Sequence, residues 1–336
     1  MMMNVYLTLD YELFMGKETG TPENCLIIPM KALTEVAESH NARFVIFADA
    51  AYLLRMHQLK DKCPQLRNDY ELVTANLRDL ESRGHDIEFH FHPQWLYSDF
   101  INETGRWDMD LEHYKLSDME PSFLKKSFRE AKSILDKAIG GRTIAFRAGG
   151  YSLNSYPGYA KLLSDTGITI DSSVIGAGKL NTRFQEYDYS NTPDKTKWNF
   201  EDDVNYEVDN GLLTEHRITT TPNYPGLFYL LRKTILSKRF GPLDKWGDGE
   251  AVNNYLPPFE RLKDLCAKLW GGMSFSASID WLSILELPYI LKRAIQNKQD
   301  EIVVIGHPKN QSTKSVLYLD KILTEYKNSI SIQTFR

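Results

Sequence analysis

Only three cysteines occur in the 336 residues, Cys25, Cys63 and Cys266. They lie far apart and form no Cys-x-x-Cys pair, which excludes a disulfide framework and a zinc finger; free thiols in a reducing compartment are expected. No apolar run approaches the roughly 20 residues that a membrane-spanning helix needs. The opening MMMNVYLTLDYELF has no basic start and no small-residue cleavage site, so a secretory leader is not expected and the cytoplasm is the expected location. Positive charge is not in excess: 40 Lys and Arg face 45 Asp and Glu, for a net charge of -5. That balance argues against nucleic-acid binding by phosphate neutralisation. No Gly-x-Gly-x-x-Gly follows the first apolar run and no P-loop occurs, which weakens dinucleotide and nucleoside-triphosphate readings. Internal repeats, low-complexity tracts and clean linkers are also lacking.

What is present is ordinary globular usage, 42% hydrophobic and 25% charged. Short apolar runs alternate with amphipathic stretches. Val5–Leu9, RFVIFA, IEFHFH, TIAFRAG, ITIDSSV, MSFSAS and IVVIGHP read as strands. PMKALTEVAESHN, Tyr70–Arg83, Pro121–Ile139, Tyr156–Ser164, Leu282–Gln296 and Ser315–Lys327 read as helices, with Gly84 as a left-handed end to the second. Repeated strand–helix alternation predicts a largely parallel sheet covered by helices, either open or closed into a barrel. Residues 93–118 and 176–210 are polar or aromatic excursions over one end of that sheet.

Several polar clusters sit at predicted strand ends. Asp10 and Glu12, two residues apart on an extended chain, point the same way and follow the apolar Val5, Leu7 and Leu9. Charges leaving a buried segment need a partner or a metal. In IEFHFH, alternation puts Ile87, Phe89 and Phe91 on one face and Glu88, His90 and His92 on the other. Two imidazoles at i, i+2 can grip one divalent ion. His85 opens this strand and reads as structural. FRAGGYS places Arg147 at another strand end, where a permanent cation wants a carboxylate; Asp171 in ITIDSSV is a candidate partner. His307 ends IVVIGHP. His216, in TEHRITTT, reads as an outward strand residue. On a parallel sheet these clusters converge on one face, which fits metal-assisted hydrolysis with a carboxylate base and a histidine acid.

LTLDYE, GHDIEFHFHP, FRAGGY, DSSV and VVIGHP, in that order, resemble the motifs of the NodB-homology polysaccharide deacetylases, a carbohydrate esterase family. The resemblance covers roughly residues 4–175 and 270–310. It implies a distorted seven-stranded (β/α) barrel, here a single domain over 1–336 with long insertions around 93–118 and 176–270. It implies removal of an N-acyl group, acetyl above all, from a sugar or glycan precursor. By position, Asp10 is the implied base, His307 the acid, and Arg147 the residue that orients Asp10, supported by Asp171. His90 is the first histidine ligand. Trp95 and Tyr151 are the expected substrate contacts, the latter through a nearby backbone N–H. The chain departs from the family pattern in four places: at Tyr11, at Gln94, in the aspartate motif, which lacks its tryptophan, and at Pro308, which follows His307 where an acid is usual. Tyr11 replaces an aspartate, which moves the metal acid to Glu12. Gln94 stands at the usual second-histidine position, which leaves that role to His92 or, weakly, to Gln94 itself. One divalent ion is expected, Zn first, with Mn, Co, Ni or Fe also compatible with such ligands. A non-catalytic sugar-binding barrel and an amidohydrolase-type metal barrel are the competing readings. The histidine pair suggests the latter, but such barrels carry that pair on the first strand, where this chain has acids.

Overall fold

Every second residue of the opening segment is apolar, and the segment forms strand β1 (Met3–Tyr11). The computed structural model describes residues 2–221, 231, 234–238, 244–251 and 275–336. The further strands are β2 (Val45–Asp49), β3 (Asp86–Phe91), β4 (Asp99–Ile101), β5 (Arg106–Asp108), β6 (Ala145–Ala148) and β7 (Ile170–Asp171), followed by β8 (Lys179–Asn181), β9 (Glu186–Asp188), β10 (Lys197–Phe200), β11 (Leu213–His216), β12 (Glu301–Val304) and β13 (Ile330–Gln333). The main sheet runs β10-β11-β7-β6-β3-β2-β1-β12, with β13 also on β1.

From β11 to β12 every neighbouring pair is parallel, so seven parallel strands lie side by side. The two ends of this series meet. Ile218, just past β11, bridges Val303 of β12 in parallel, and Ser278 bridges Ile305. The ring therefore closes, but through single bridges instead of a continuous ladder. It is the expected seven-stranded (β/α) barrel, and the weak seam is its distortion. The MSFSAS run contributes at that seam, where Ala277 N–H donates to Thr219 O and Ile305 N–H to Ala277 O.

Helices α1 (Ile28–Ser39), α2 (Ala50–Leu59), α3 (Pro64–Ser82), α4 (Pro121–Ile139) and α5 (Tyr159–Asp165) cover the sheet with Leu287–Gln296 and Thr313–Tyr326. Helix α4 keeps its predicted bounds because both ends are chemically marked. The Glu120 carboxylate accepts from the Ser122 and Phe123 N–H groups, and Gly140 closes the helix at φ 69. Helix α2 has no predicted counterpart. Six of its ten residues are buried, and with apolar residues on so much of its circumference it lacks the one-sided stripe that marks a surface helix. The main core lies between helices and sheet and includes Leu9, Phe89, Phe128 and Phe146. A smaller cluster of Val45, Phe47 and Ala145 fills the barrel interior against Phe335.

The excursion 93–118 folds as a turn (Pro93–Tyr97) and the hairpin β4–β5, and 176–210 carries the hairpin β8–β9 before β10 pairs antiparallel with β11. Cys25 and Cys63 are buried free thiols. Cys266, residues 222–230 and 252–274, and with them most of 211–270 within the predicted 176–270 insertion and the start of MSFSAS, lie outside the described residues. His216 departs from its outward assignment: it is 2% exposed, with its ring against Tyr6 and Phe335 and Nδ1 3.0 Å from Glu301. It lines the barrel interior at the end opposite the acid and histidine clusters. No helix among the described residues is long and apolar enough to cross a membrane.

Candidate active site

Strand alternation decides which residues of the opening motif meet. Tyr11 points outward and donates its hydroxyl to Asn76 Oδ1 at 2.9 Å. Asp10 and Glu12 therefore share the inner face, as expected. The same rule brings His90 and His92 inward at the end of β3. Glu12 Oε2 lies 3.0 Å from His90 Nε2 and 2.6 Å from His92 Nε2. One donor atom from each of Glu12, His90 and His92 falls within 4.8 Å of the others, and all three residues are buried.

The surroundings of these side chains fit a cation. His90 Nδ1–H donates to Arg147 O at 2.7 Å, which fixes the tautomer and leaves the Nε2 lone pair facing Glu12. His92 Nδ1 lies 3.2 Å from the Gln94 carboxamide nitrogen, while the carboxamide oxygen Oε1 is buried without a partner. Exchanging the two amide atoms, which are distinguished by their hydrogen bonds, pairs Nδ1–H with Oε1 and turns the His92 Nε2 lone pair toward Glu12. Gln94 thus stands behind His92 as an orienting group, and His92 itself reaches the acid. Burial acts to lower the His90 imidazole, but Asp10 and Glu12 raise it to about 9. A divalent ion on that nitrogen would take the place of the extra proton. For Glu12 burial acts upward, yet Lys309 and the two imidazoles outweigh it and hold the carboxyl well below the usual range. A Glu-His-His set with an open side is the ligand pattern of hydrolytic zinc sites.

Beside this triad, Asp10 and His307 face the same cavity of about 270 Å³. His307 Nε2 is 3.7 Å from Asp10 Oδ2 and 3.8 Å from Glu12 Oε1. Its other nitrogen, Nδ1, donates to Asp280 Oδ2 at 2.6 Å, and Asp280 Oδ1 accepts the His307 backbone N–H. Burial acts to lower the His307 imidazole; Asp280, Asp10 and Glu12 together raise it above its ordinary value. Asp10 Oδ1 is held by Arg147 Nη1 at 2.7 Å. Arg147 is fully buried and also donates to Thr8 Oγ1, Ser172 O and Ser172 Oγ, with its plane 4.2 Å from the Phe47 ring.

Two predicted residues lie elsewhere. Asp171 makes no hydrogen bond to Arg147, though the guanidinium charge reaches its carboxyl and acts to lower it; the alternation of the chain presents Ser172 to the guanidinium. Asp171 takes N–H and O–H bonds from Ser173 and shares a buried niche with Glu215. Burial is the main force raising both carboxyls, and for Glu215 the Asp171 charge adds to it. Trp95 is corrected from substrate contact to core residue: it is fully buried against Tyr52 and Trp107, and its indole N–H donates to Asp49 Oδ2. Tyr151 does line the cavity. It follows Gly150 in a left-handed pair, φ 58 then 60, a strained backbone for a bulky residue of the kind that gathers at functional sites. Gly149 has no such φ, but a Cβ there would meet His92 Nδ1 and Phe91 O at 2.7 Å, so the histidine packs where only glycine fits.

Sequence reasoning missed Lys309, Asp280, Gln94 as an orienting group, and Asp49. Lys309 lies two residues after His307, and Asp280 two residues after the MSFSAS run. Asp49 follows Val45 and Phe47 in period-2 order, and that alternation was the available signal.

Neither a protein-family model nor a curated protein matches the chain. Solved structures do. A GH57 branching enzyme from Thermococcus kodakaraensis, in complex with glucose, aligns at TM-score 0.51 and 10% identity, covering 99% of this chain and 70% of that one. The Puue allantoinase aligns at 0.46 and 11%, covering 99% and 87%. A family 4 carbohydrate esterase from Streptomyces lividans, in complex with acetate, aligns at 0.41 and 10%, covering 99% and 93%. At these identities the likeness is one of fold.

Proposed function

We propose that this chain hydrolyses an N-acyl group, acetyl above all, from a sugar or glycan precursor, with one divalent ion held by Glu12, His90 and His92. The convergence of that triad on the cavity that also receives Asp10 and His307 carries the reading. The motif order along the chain supports the sugar-amide substrate class. Zinc suits the donor set best, and the bound ion would supply a Lewis acid that polarises the acyl oxygen and acidifies water.

The chain's own groups divide the proton work. Arg147 occupies Asp10 Oδ1 and leaves Oδ2 open toward the cavity, placed to take a proton from the attacking water. Water oxygen bonds to the acyl carbon as the C–N bond breaks. His307, oriented through Nδ1 by Asp280, presents Nε2 to the leaving nitrogen and delivers the proton that makes it an amine. The products are a carboxylate such as acetate and the free amino sugar. Tyr151 and Gln185 form the wall that would receive the sugar.

The test is acetate release from N-acetylchitooligosaccharides by zinc-loaded protein, with metal content measured in parallel. Asp10→Asn is expected to abolish release while retaining metal; full activity in that variant rejects the assigned base. Wild-type protein that takes up no divalent ion near neutral pH favours a non-catalytic sugar binder.

A further inference from the structure

Two carboxylates meet in the site, and each has its own buried cation: Asp10 has Arg147, and Glu12 has Lys309. Lys309 lies in the single turn Pro308–Asn310 that follows His307. Its side chain is 9% exposed, and Nζ donates to Glu12 Oε1 and to Leu13 O, both at 2.7 Å. Nζ also sits 5.0 Å from the centre of the Phe14 ring. The backbone of the turn is clamped, since a Cβ on Gly247 would fall 2.3 Å from Lys309 O. The Glu12 carboxylate is consequently divided. One oxygen belongs to the lysine, and the other faces both imidazoles.

We propose that Lys309 is a positioning residue that fixes how Glu12 meets the cation, restricting it to a single donor oxygen, Oε2. The inference rests on the reading of Glu12, His90 and His92 as ligands. Were Oε1 free, the carboxylate could chelate through both oxygens and fill a position needed by water or the acyl oxygen. A fixed positive charge one carboxylate away from the ion also weakens cation binding and leaves more of the ion's charge for its remaining ligands. On this account Lys309 lowers affinity and keeps the coordination open.

Cobalt(II) titration against a competing chelator, read by visible absorbance per bound ion, tests this without any turnover. Coordination number shows in that absorbance, which weakens as oxygen ligands are added. Lys309→Met is expected to bind cobalt at least about tenfold more tightly, as loss of a nearby like charge requires, with weaker absorbance per ion. Lys309→Gln, which keeps a neutral donor for Oε1, is expected to bind more tightly with the wild-type spectrum. Wild-type affinity and spectrum in Lys309→Met overturn the proposal. Should that variant not fold, unchanged affinity in Lys309→Gln does so. Failure of the underlying reading looks different: wild-type protein then binds no cobalt, or Glu12→Gln binds it as well as wild type does.

Discussion

Replacing Arg147 by methionine should expose how far the site depends on its buried cation. Arg147 donates to four acceptors and makes the ion pair with Asp10. The two hydroxyl acceptors lose little, and the Ser172 carbonyl loses one donor. The Thr8 hydroxyl already donates to Val304 O, and the Ser172 hydroxyl to His216 O, so neither is stranded. The cost falls on Asp10, which loses its closest cation, the guanidinium at 2.7 Å, and keeps only the imidazoles around it, His307 at 3.7 Å the nearer; breaking a buried pair costs about 3–5 kcal/mol. Urea unfolding of wild type, Arg147→Met, Asp10→Asn and the double variant at pH 7 measures this as a cycle. The double variant should recover about 2 kcal/mol or more of the loss, because the under-compensated carboxylate is gone. A deficit under about 1 kcal/mol, or a double variant that recovers none of it, would refute the argument.

Three further outcomes are expected. Glu215→Gln should gain stability relative to wild type as pH rises from 5 to 8, by about 1–2 kcal/mol, because burial and Asp171 hold the Glu215 proton that the unfolded chain gives up; parallel pH profiles of unfolding would contradict this. Gly149→Ala should weaken zinc binding about 10–100-fold by pushing the His92 ring, with 2.7 Å between the new methyl and Nδ1; a chelator-competition titration reads it, and unchanged affinity counts against the packing argument. Arg336→Ala should cost about 1–3 kcal/mol in thermal unfolding, since Arg336 is the cation nearest Asp86 and Glu88 at the closed end of the barrel; a change below about 0.5 kcal/mol would show that those acids need no partner.

Much of this was legible from period and punctuation. The runs RFVIFA and IEFHFH and the helix Pro121–Ile139 carried unambiguous signals, and alternation alone placed Asp10 with Glu12 and His90 with His92. The same alternation, followed one residue further, would have chosen Ser172 over Asp171 as the partner of Arg147. Helix α2 was hidden because burial on most of its surface erased the stripe. The inward turn of His216 depends on Phe335, more than a hundred residues away, and no local pattern reports that. Trp95 shows a different limit. An aromatic residue beside a site motif has no sequence mark that separates a sugar platform from a core anchor, and here the Asp49 carboxylate drew its N–H inward. Lys309 and Asp280 were invisible for a related reason, since a lysine or an aspartate in a loop reads as solvated until the fold buries it.

The central claim is that one cation is shared by the first and third strands of the barrel. Anomalous diffraction at the zinc edge, from crystals grown with stoichiometric zinc, tests it most directly. The account predicts a single strong peak within about 2.3 Å of Glu12 Oε2, His90 Nε2 and His92 Nε2. A peak elsewhere, or none at that position with those three side chains ordered, would contradict it.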